Sequence, residues 1–560
     1  RTSCLIVLAG FLARLVRKTA KVHRMADPVT SITIVGGGTA GWLAATFLRT
    51  KCAAKINVTL IESPNVPTVG VGEATVPHMP ATLREMGIDD QEFMRRCNAS
   101  IKMGVMFNNW NVDRKGRFIR YMNPFASPPQ LQGIEIGHYF QAFGAGKRDY
   151  IQSFSPLTDL FESYKSVFAL NGGEDDPMPR AGYAYHLDAV KFAGMLAELG
   201  RERGVTHILD DVDDVELNET GHVAALQLRE KGRHPVQLII DCTGFRGMII
   251  QKALGEPFQS YSDYLGNDRA MALQIPHPDP TRIRAATQST ALGAGWSWAV
   301  PLFNRIGTGY VFSSAHRTDD QAAAEFLAHL GDTAPKGAEP RVIPMRVGRS
   351  RQAWVKNCVA LGLSGGFIEP LESTAIHMID MGLRWLLQYF PSQDYEESTR
   401  AAYNKVSDDM FNEVRDFIGL HYRLNNRTDD PYWIDSRTEL KISDRLEHLL
   451  DLWQHQLPVN LDIPSAHLFS YKTYVAVLLG KRVYETGYGS DRLNRSFALP
   501  EQPWKEFLRK TAARNRAVVA YKTDHYRTLL ALRGELGAGG RVASGLGELE
   551  PVGDATSALF

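Results

Sequence analysis

Cysteine is scarce: the chain has five in 560 residues, Cys4, Cys52, Cys97, Cys242 and Cys358. They are scattered, odd in number and never spaced C-x-x-C. That excludes a disulfide framework and a cysteine zinc site and fits a reducing cytoplasm. Net charge is missing as well. Lys and Arg total 63 against 62 for Asp and Glu, a formal charge of +1, so no bulk charge points to a nucleic-acid partner. No apolar run is long enough for a membrane: Cys4–Ala13 has ten residues, and a span needs about 20. No repeat recurs at about 20–50 residues, which excludes solenoids and propellers.

What remains is ordinary for a folded protein, with 44% hydrophobic and 22% charged residues. At about 100–200 residues per domain, the length suits two to four units, or one large core with an added lobe. Residues 1–24 stand apart, holding Arg1, Arg14, Arg17, Lys18, Lys21 and Arg24 and no acid. The rest of the chain then carries 57 basic against 62 acidic residues, a net of −5. The basic run follows the apolar one, the reverse of a secretory signal. This segment is read as a non-native or disordered extension, with Met25 the natural start.

The first organised unit begins at Ser31. Ser31–Val35 is a β-branched run, Trp42–Leu48 has helical spacing, and Lys55–Ile61 is a second strand ending in Glu62, which together make a βαβ unit. Further strands are expected at Val236–Asp241, Gly309–Ser313 and Cys358–Leu363. Helices are expected at Val190–Arg203, Asp319–Leu330 and Ala375–Tyr389, and a mainly helical, aromatic-rich region runs from Pro391 to Leu532. The expected fold class is α/β: a Rossmann-type, flavin monooxygenase-like FAD core over 25–390 with insertions, a helical substrate lobe over 391–533, and a flexible tail over 534–560.

Between the first strand and helix lie Gly36, Gly37, Gly38, Thr39, Ala40 and Gly41. A G-x-G-x-x-G loop there lets backbone N–H groups approach a pyrophosphate at the helix N-terminus. Glu62, 21 residues beyond Gly41, is placed to accept from ribose hydroxyls. Gly537–Gly540 has no strand before it and reads as linker, so one dinucleotide site is expected. The segments Asp241–Phe245 and Leu361–Gly366 favour FAD over NAD. Asp210–Asp214 reads as a strand edge, Glu174–Asp176 as a solvated loop, and His186 with Asp188 lacks a third metal ligand.

Four further segments are Val69–Pro77 (VGVGEATVP), Asn98–Lys102 (NASIK), Gly295–Pro301 (GWSWAVP) and Phe367–Thr374 (FIEPLEST). With the glycine loop, in this order, they closely resemble the flavin-dependent tryptophan halogenases over Ile32–Pro391, and more weakly beyond. The resemblance implies FADH2 from a separate flavin reductase, oxygen, and chloride or bromide. These make hypohalous acid, which travels to a lysine and halogenates an electron-rich aromatic. By the same resemblance Lys102 is the lysine and Glu372 its carboxylate, with Glu369 as rival. An ammonium hydrogen-bonds the oxidant and a neutral amine forms a haloamine, while a carboxylate takes the ring proton.

Ser373 or Thr374 suits the N-cap of the following helix, and the amides of Thr374 and Ala375 suit a halide. Ala375 stands where the family usually has Gly. Trp296, Trp298 and Pro301 correspond to the wall between flavin and substrate tunnel, where Val300 replaces the commoner Ile. Glu73 and Ala74 fall where flavin and tunnel meet, and Ser63, Val69, Val212, Leu363 and Ile376 along FAD.

The family's tryptophan-holding segment has no good match. Leu468–Tyr474 and Val483–Tyr488 occupy its region, and the aromatic pattern near Arg117–Tyr121 is altered. The expected substrate is therefore indole, a substituted indole or a larger indole-bearing molecule in preference to free tryptophan. A cytoplasmic enzyme is expected, with a homodimer allowed. A flavin-dependent aromatic hydroxylase and a non-catalytic FAD-binding protein are the alternatives.

Overall fold

The computed structural model describes residues 26–66, 72–170, 172–173, 175–179, 181–464, 467–488 and 497–536. The extension at 1–24, Val69, Gly537–Gly540 and most of the 534–560 tail lie outside them.

Ser31–Val35 is the centre of a six-stranded sheet. Its order is Thr206–Leu209, Asn57–Glu62, Ser31–Val35, Leu238–Asp241, Cys358–Ala360, Trp354–Val355. All neighbours are parallel except the last pair. Val35 pairs with Ile61 on one side and Asp241 on the other. The strand order thus reverses at Ser31–Val35, and the crevice beyond its carboxyl end is where such sheets bind ligands. Helix Thr39–Lys51 buries Trp42, Leu43, Phe47 and Leu48 and packs on Ala189–Glu202. The expected strand at Cys358–Leu363 is shorter, since a tight turn at Gly362–Ser364 follows Ala360.

A seven-stranded sheet stands beside it, and its last four strands are Gly295–Pro301, Thr287–Ala291, Gly104–Val112 and Phe118–Pro124. A three-stranded sheet links the two regions, with Ala184–Asp188 pairing Gly72–Ala74 on one edge and Ser100–Lys102 on the other. Most of the chain after Pro391 is helical. Its longest helix, Glu397–Arg423, drives Phe417 and Tyr422 into one aromatic core with Phe107, Trp110 and Trp296 of the seven-stranded sheet.

Asp210–Asp214 ends in strand Val212–Leu217, and Asp210 accepts from the amides of Glu230 and Lys231. The solvated-loop reading at 174–176 needs correction at Asp176. Its carboxylate accepts from Lys522 Nζ at 2.7 Å, and Lys522 is only 2% exposed. A buried ammonium needs a counter-charge, so Asp176→Ala is expected to destabilise the fold by about 3 kcal/mol. Urea midpoints of variant and wild type check this.

Candidate active site

Strand Ser100–Lys102 is fixed at its start. Ser100 Oγ donates to the Pro301 carbonyl and lies 3.0 Å from His186 Nδ1. His186 Nε2 meets Thr287 Oγ1 at 2.9 Å, so both ring nitrogens are engaged within the protein. Asp188 caps helix Ala189–Glu202 and pairs with Arg305. At the strand's other end Lys102 is 0% exposed. Its Nζ donates to the Thr75 carbonyl at 2.9 Å and lies 5.3 Å from the centroid of the Phe125 ring. Burial brings the amine down to about 7, against an upward pull from the Glu372 charge. Near neutral pH, both the ammonium and the free amine are then populated.

The two glutamates of Phe367–Thr374 face different partners. Glu369 Oε2 accepts from Trp296 Nε1 (2.8 Å), Tyr422 Oη (2.6 Å) and Asn267 Nδ2 (3.0 Å). Glu372 Oε1 accepts from Asn123 Nδ2 at 2.8 Å and stands 3.5 Å from His421 Nε2. Glu372 is the carboxylate whose charge reaches Lys102. Two successive left-handed residues, Glu372 (φ 68°) and Ser373 (φ 63°), make this turn, a conformation costly for residues with a Cβ.

Helix Ala375–Gln388 follows directly. Thr374 is its N-cap residue, but with right-handed backbone its side chain makes no cap bond. The side-chain capping expected of Ser373 or Thr374 is not observed, because the left-handed turn replaces the extended backbone that such a cap needs. The amides of Thr374 and Ala375 still open the helix without intrahelical acceptors.

The glycine loop fits a dinucleotide. Gly36 has φ 118°, and a Cβ there would lie 2.2 Å from the Cys242 carbonyl oxygen. A Cβ on Gly37 would overlap the Glu62 carboxyl group, whereas one on Gly38 meets nothing within 4 Å. The loop thus closes on the acid and leaves room at the helix N-terminus, where Thr39 and Ala40 begin the first turn. Glu62 also accepts from His207 at 2.9 Å. Gly362 passes so close to Ala40 that a Cβ would be 2.7 Å from that methyl, so the second turn meets the first. Leu363 is exposed beside it, and Ile376 is buried. Ser63 donates to Asp211, next to Val212, on the Glu62 side. Gly36→Ala is expected to weaken flavin binding at least about tenfold, since strain of a few kcal/mol falls on the loop. Flavin fluorescence titration measures it.

Trp296 and Trp298 share one face of Gly295–Pro301, 6.3 Å apart and edge to face. Trp296 is buried, while Trp298 lies across Gly309, where a Cβ would be 2.1 Å from its ring. Ala74 packs with Val300, Leu302 and Trp298. Burial pushes its neighbour Glu73 up to about 7. Next to Phe125 is a cavity of about 450 Å³, walled by Pro77, His78, Phe154, Leu157 and Tyr183, with Arg84 and Arg514 also in its lining.

A family model described as tryptophan halogenase matches residues 31–498. The chain belongs to the tryptophan halogenase family. This halogenase is 36% identical over 509 residues to tryptophan 6-halogenase SttH of Streptomyces toxytricini, covering 87% of this chain and 94% of the relative. It is 35% identical over 455 residues to tryptophan 7-halogenase RebH of Lentzea aerocolonigenes, covering 78% and 84%. BrvH, a flavin-dependent halogenase from Brevundimonas sp. BAL3, superposes with a TM-score of 0.79 at 34% identity, over 90% of this chain and 99% of BrvH. The protein is thus an enzyme that uses a flavin and halide, and the hydroxylase alternative is not favoured.

Sequence reading missed several residues that stand beside Lys102 and Glu372. Thr75 acts through its carbonyl, which no side-chain pattern reveals. Asn123 and His421 sit 249 and 49 residues from Glu372, and Phe125 lies outside every motif. Leu468–Tyr474 and Val483–Tyr488 are not in the lining of the Phe125 cavity: Phe469 stacks on Phe417 at 3.8 Å, and Tyr484 and Tyr488 pack on each other. Among the described residues no group of His, Cys, Asp or Glu is arranged for a metal, and no helix is long and apolar enough to cross a membrane.

Proposed function

We propose that this enzyme binds FAD along the loop Gly36, Gly37, Gly38, Thr39, Ala40 and Gly41, with Glu62 on the adenosine ribose. Ser63, Val212, Leu363 and Ile376 lie along the cofactor, and Glu73 and Ala74 where it meets the tunnel. Bound FAD, once reduced by a separate flavin reductase, would with oxygen supply the oxidising power that converts chloride or bromide to hypohalous acid. The amides of Thr374 and Ala375 hold the halide. Trp296, Trp298 and Pro301 wall the flavin side from the substrate, and the oxidant passes to Lys102. The free thiols of Cys52, Cys97, Cys242 and Cys358 suit a cytoplasmic enzyme.

At Lys102 the ammonium hydrogen-bonds hypohalous acid and polarises its halogen–oxygen bond. The aromatic carbon takes the halogen, the oxygen leaves as water with a proton from the Lys102 ammonium, and Glu372 accepts the ring proton, which restores the lysine's charge by way of solvent. The observation that carries this reading is the wholly buried Lys102 amine, hydrogen-bonded among the described residues only to the Thr75 carbonyl, with the Glu372 charge in reach. The Phe125 cavity takes the substrate, since the Phe125 ring borders both the cavity and the amine. Its aromatic and aliphatic walls suit indole or a larger indole-bearing molecule.

The test incubates the enzyme with FAD, a flavin reductase, NADH, bromide or chloride, and indole or tryptophan, followed by mass spectrometry. A halogen isotope pattern, strongest on indole, is expected. Oxygen insertion without halogen overturns the reading.

A further inference from the structure

His421 projects from the long helix Glu397–Arg423 into the site and is 0% exposed. Three aromatic rings fix its plane. It stacks on Phe107 at 4.8 Å and 11°, and it meets Phe417 (5.3 Å) and Trp110 (5.9 Å) at steep angles. Its Nδ1 lies 3.5 Å from the Tyr121 hydroxyl. Its Nε2 stands 3.5 Å from Glu372 Oε1 and makes no hydrogen bond among the described residues. Burial is the main force holding the imidazole neutral, aided by the Lys481 charge and opposed by Glu372. Tyr121 stays a phenol, burial and Glu372 both raising it. A neutral imidazole has one N–H; with the Tyr121 phenol donating to Nδ1, that proton sits on Nε2, the nitrogen 3.5 Å from Glu372 Oε1.

Asn123 and His421 therefore both address Oε1 of Glu372. Oε2 makes no hydrogen bond among the described residues and is the oxygen left for chemistry. We propose that His421 is a positioning residue of the halogenation step: with Asn123 it engages Oε1 of Glu372, so that the carboxylate presents Oε2 to the ring proton. This rests on the proposed role of Glu372. The 3.5 Å contact shortens in the working complex, as hydrogen bonds at catalytic groups commonly do. The strained φ values of Glu372 and Ser373 explain why a second tether is needed: the backbone alone does not favour this placement.

The experiment separates making the oxidant from using it. Wild type, His421→Phe and His421→Gln run with FAD, reductase, NADH and bromide. Oxidant is counted with a soluble thioether scavenger and product as bromoindole. The ratio of product to oxidant is expected to fall at least about tenfold in His421→Phe, which fills the aromatic box but donates nothing. His421→Gln, whose amide can donate to Oε1, is expected to restore most of it. An unchanged ratio in His421→Phe overturns the proposal, as does a fall that His421→Gln does not rescue. If His421→Phe fails to fold, a His421→Gln ratio near wild type beside a tenfold lower His421→Leu ratio supports it, and equal ratios overturn it. A wild type that makes no trappable oxidant instead overturns the parent reading, and this proposal with it.

Discussion

Replacing Lys102 with Ala is expected to lower halogenated product about a thousandfold, within the range contributed by a positioned proton donor together with loss of the oxidant's only anchor. Lys102→Met, which keeps the stem's volume, is expected to be as inactive and yet to make a more stable protein. An unfolded chain keeps this amine protonated up to about pH 10. The folded one releases the proton near 7, because burial penalises the ammonium. Between those values the unfolded state binds more protons, so stability rises with pH across the window and the lysine's cost is largest at its neutral end. That cost has an upper bound of about 4 kcal/mol near pH 7. After loss of the Thr75 hydrogen bond, Lys102→Met should gain about 2 kcal/mol at pH 7 and almost nothing at pH 10. Urea titrations at the two pH values, with product assays alongside, check both halves. A destabilised, active variant would contradict them.

The second large effect is at Glu372. Glu372→Gln keeps an oxygen to accept from Asn123 but cannot accept a ring proton. Product should fall about a hundredfold while the scavenger still records oxidant. Glu369→Gln is expected to lose far less. Glu369 Oε2 meets Trp296, Tyr422 and Asn267, and an amide oxygen can accept from those same donors. Steady-state assays of the two variants in parallel decide which carboxylate serves the ring, and a larger loss at Glu369 reverses the assignment.

The parts of the fold that the sequence foretold are those with local causes. Ser31–Val35 and Leu238–Asp241 are β-branched or aliphatic runs buried on both faces of a parallel sheet, and such runs announce themselves. Asp319–Leu330 carries its own capping box at Thr318 and Gln321 and begins and ends where its pattern does. The glycine loop is legible because Gly36, Gly37 and Gly41 each answer a steric demand set by their neighbours. The proximity of Lys102, Glu372, Asn123 and His421 is not, since it depends on four chain segments meeting between a sheet edge and a helix. The side-chain cap expected at Ser373 or Thr374 failed for a related reason: sequence reports which residues can cap, but not that the preceding two have turned left-handed.

That left-handed pair has an evolutionary consequence. It joins, within three residues, the carboxylate proposed to receive the ring proton and the amides proposed to hold the halide. Substitutions that relax the bend would shift both at once, so changes in ring position and in halide choice are expected to arise together when selection acts on residues 372 and 373. Variants selected at the walls of the Phe125 cavity should instead change the ring position alone. Libraries built at these two places, screened with bromide and chloride in competition, would therefore separate one trait from two.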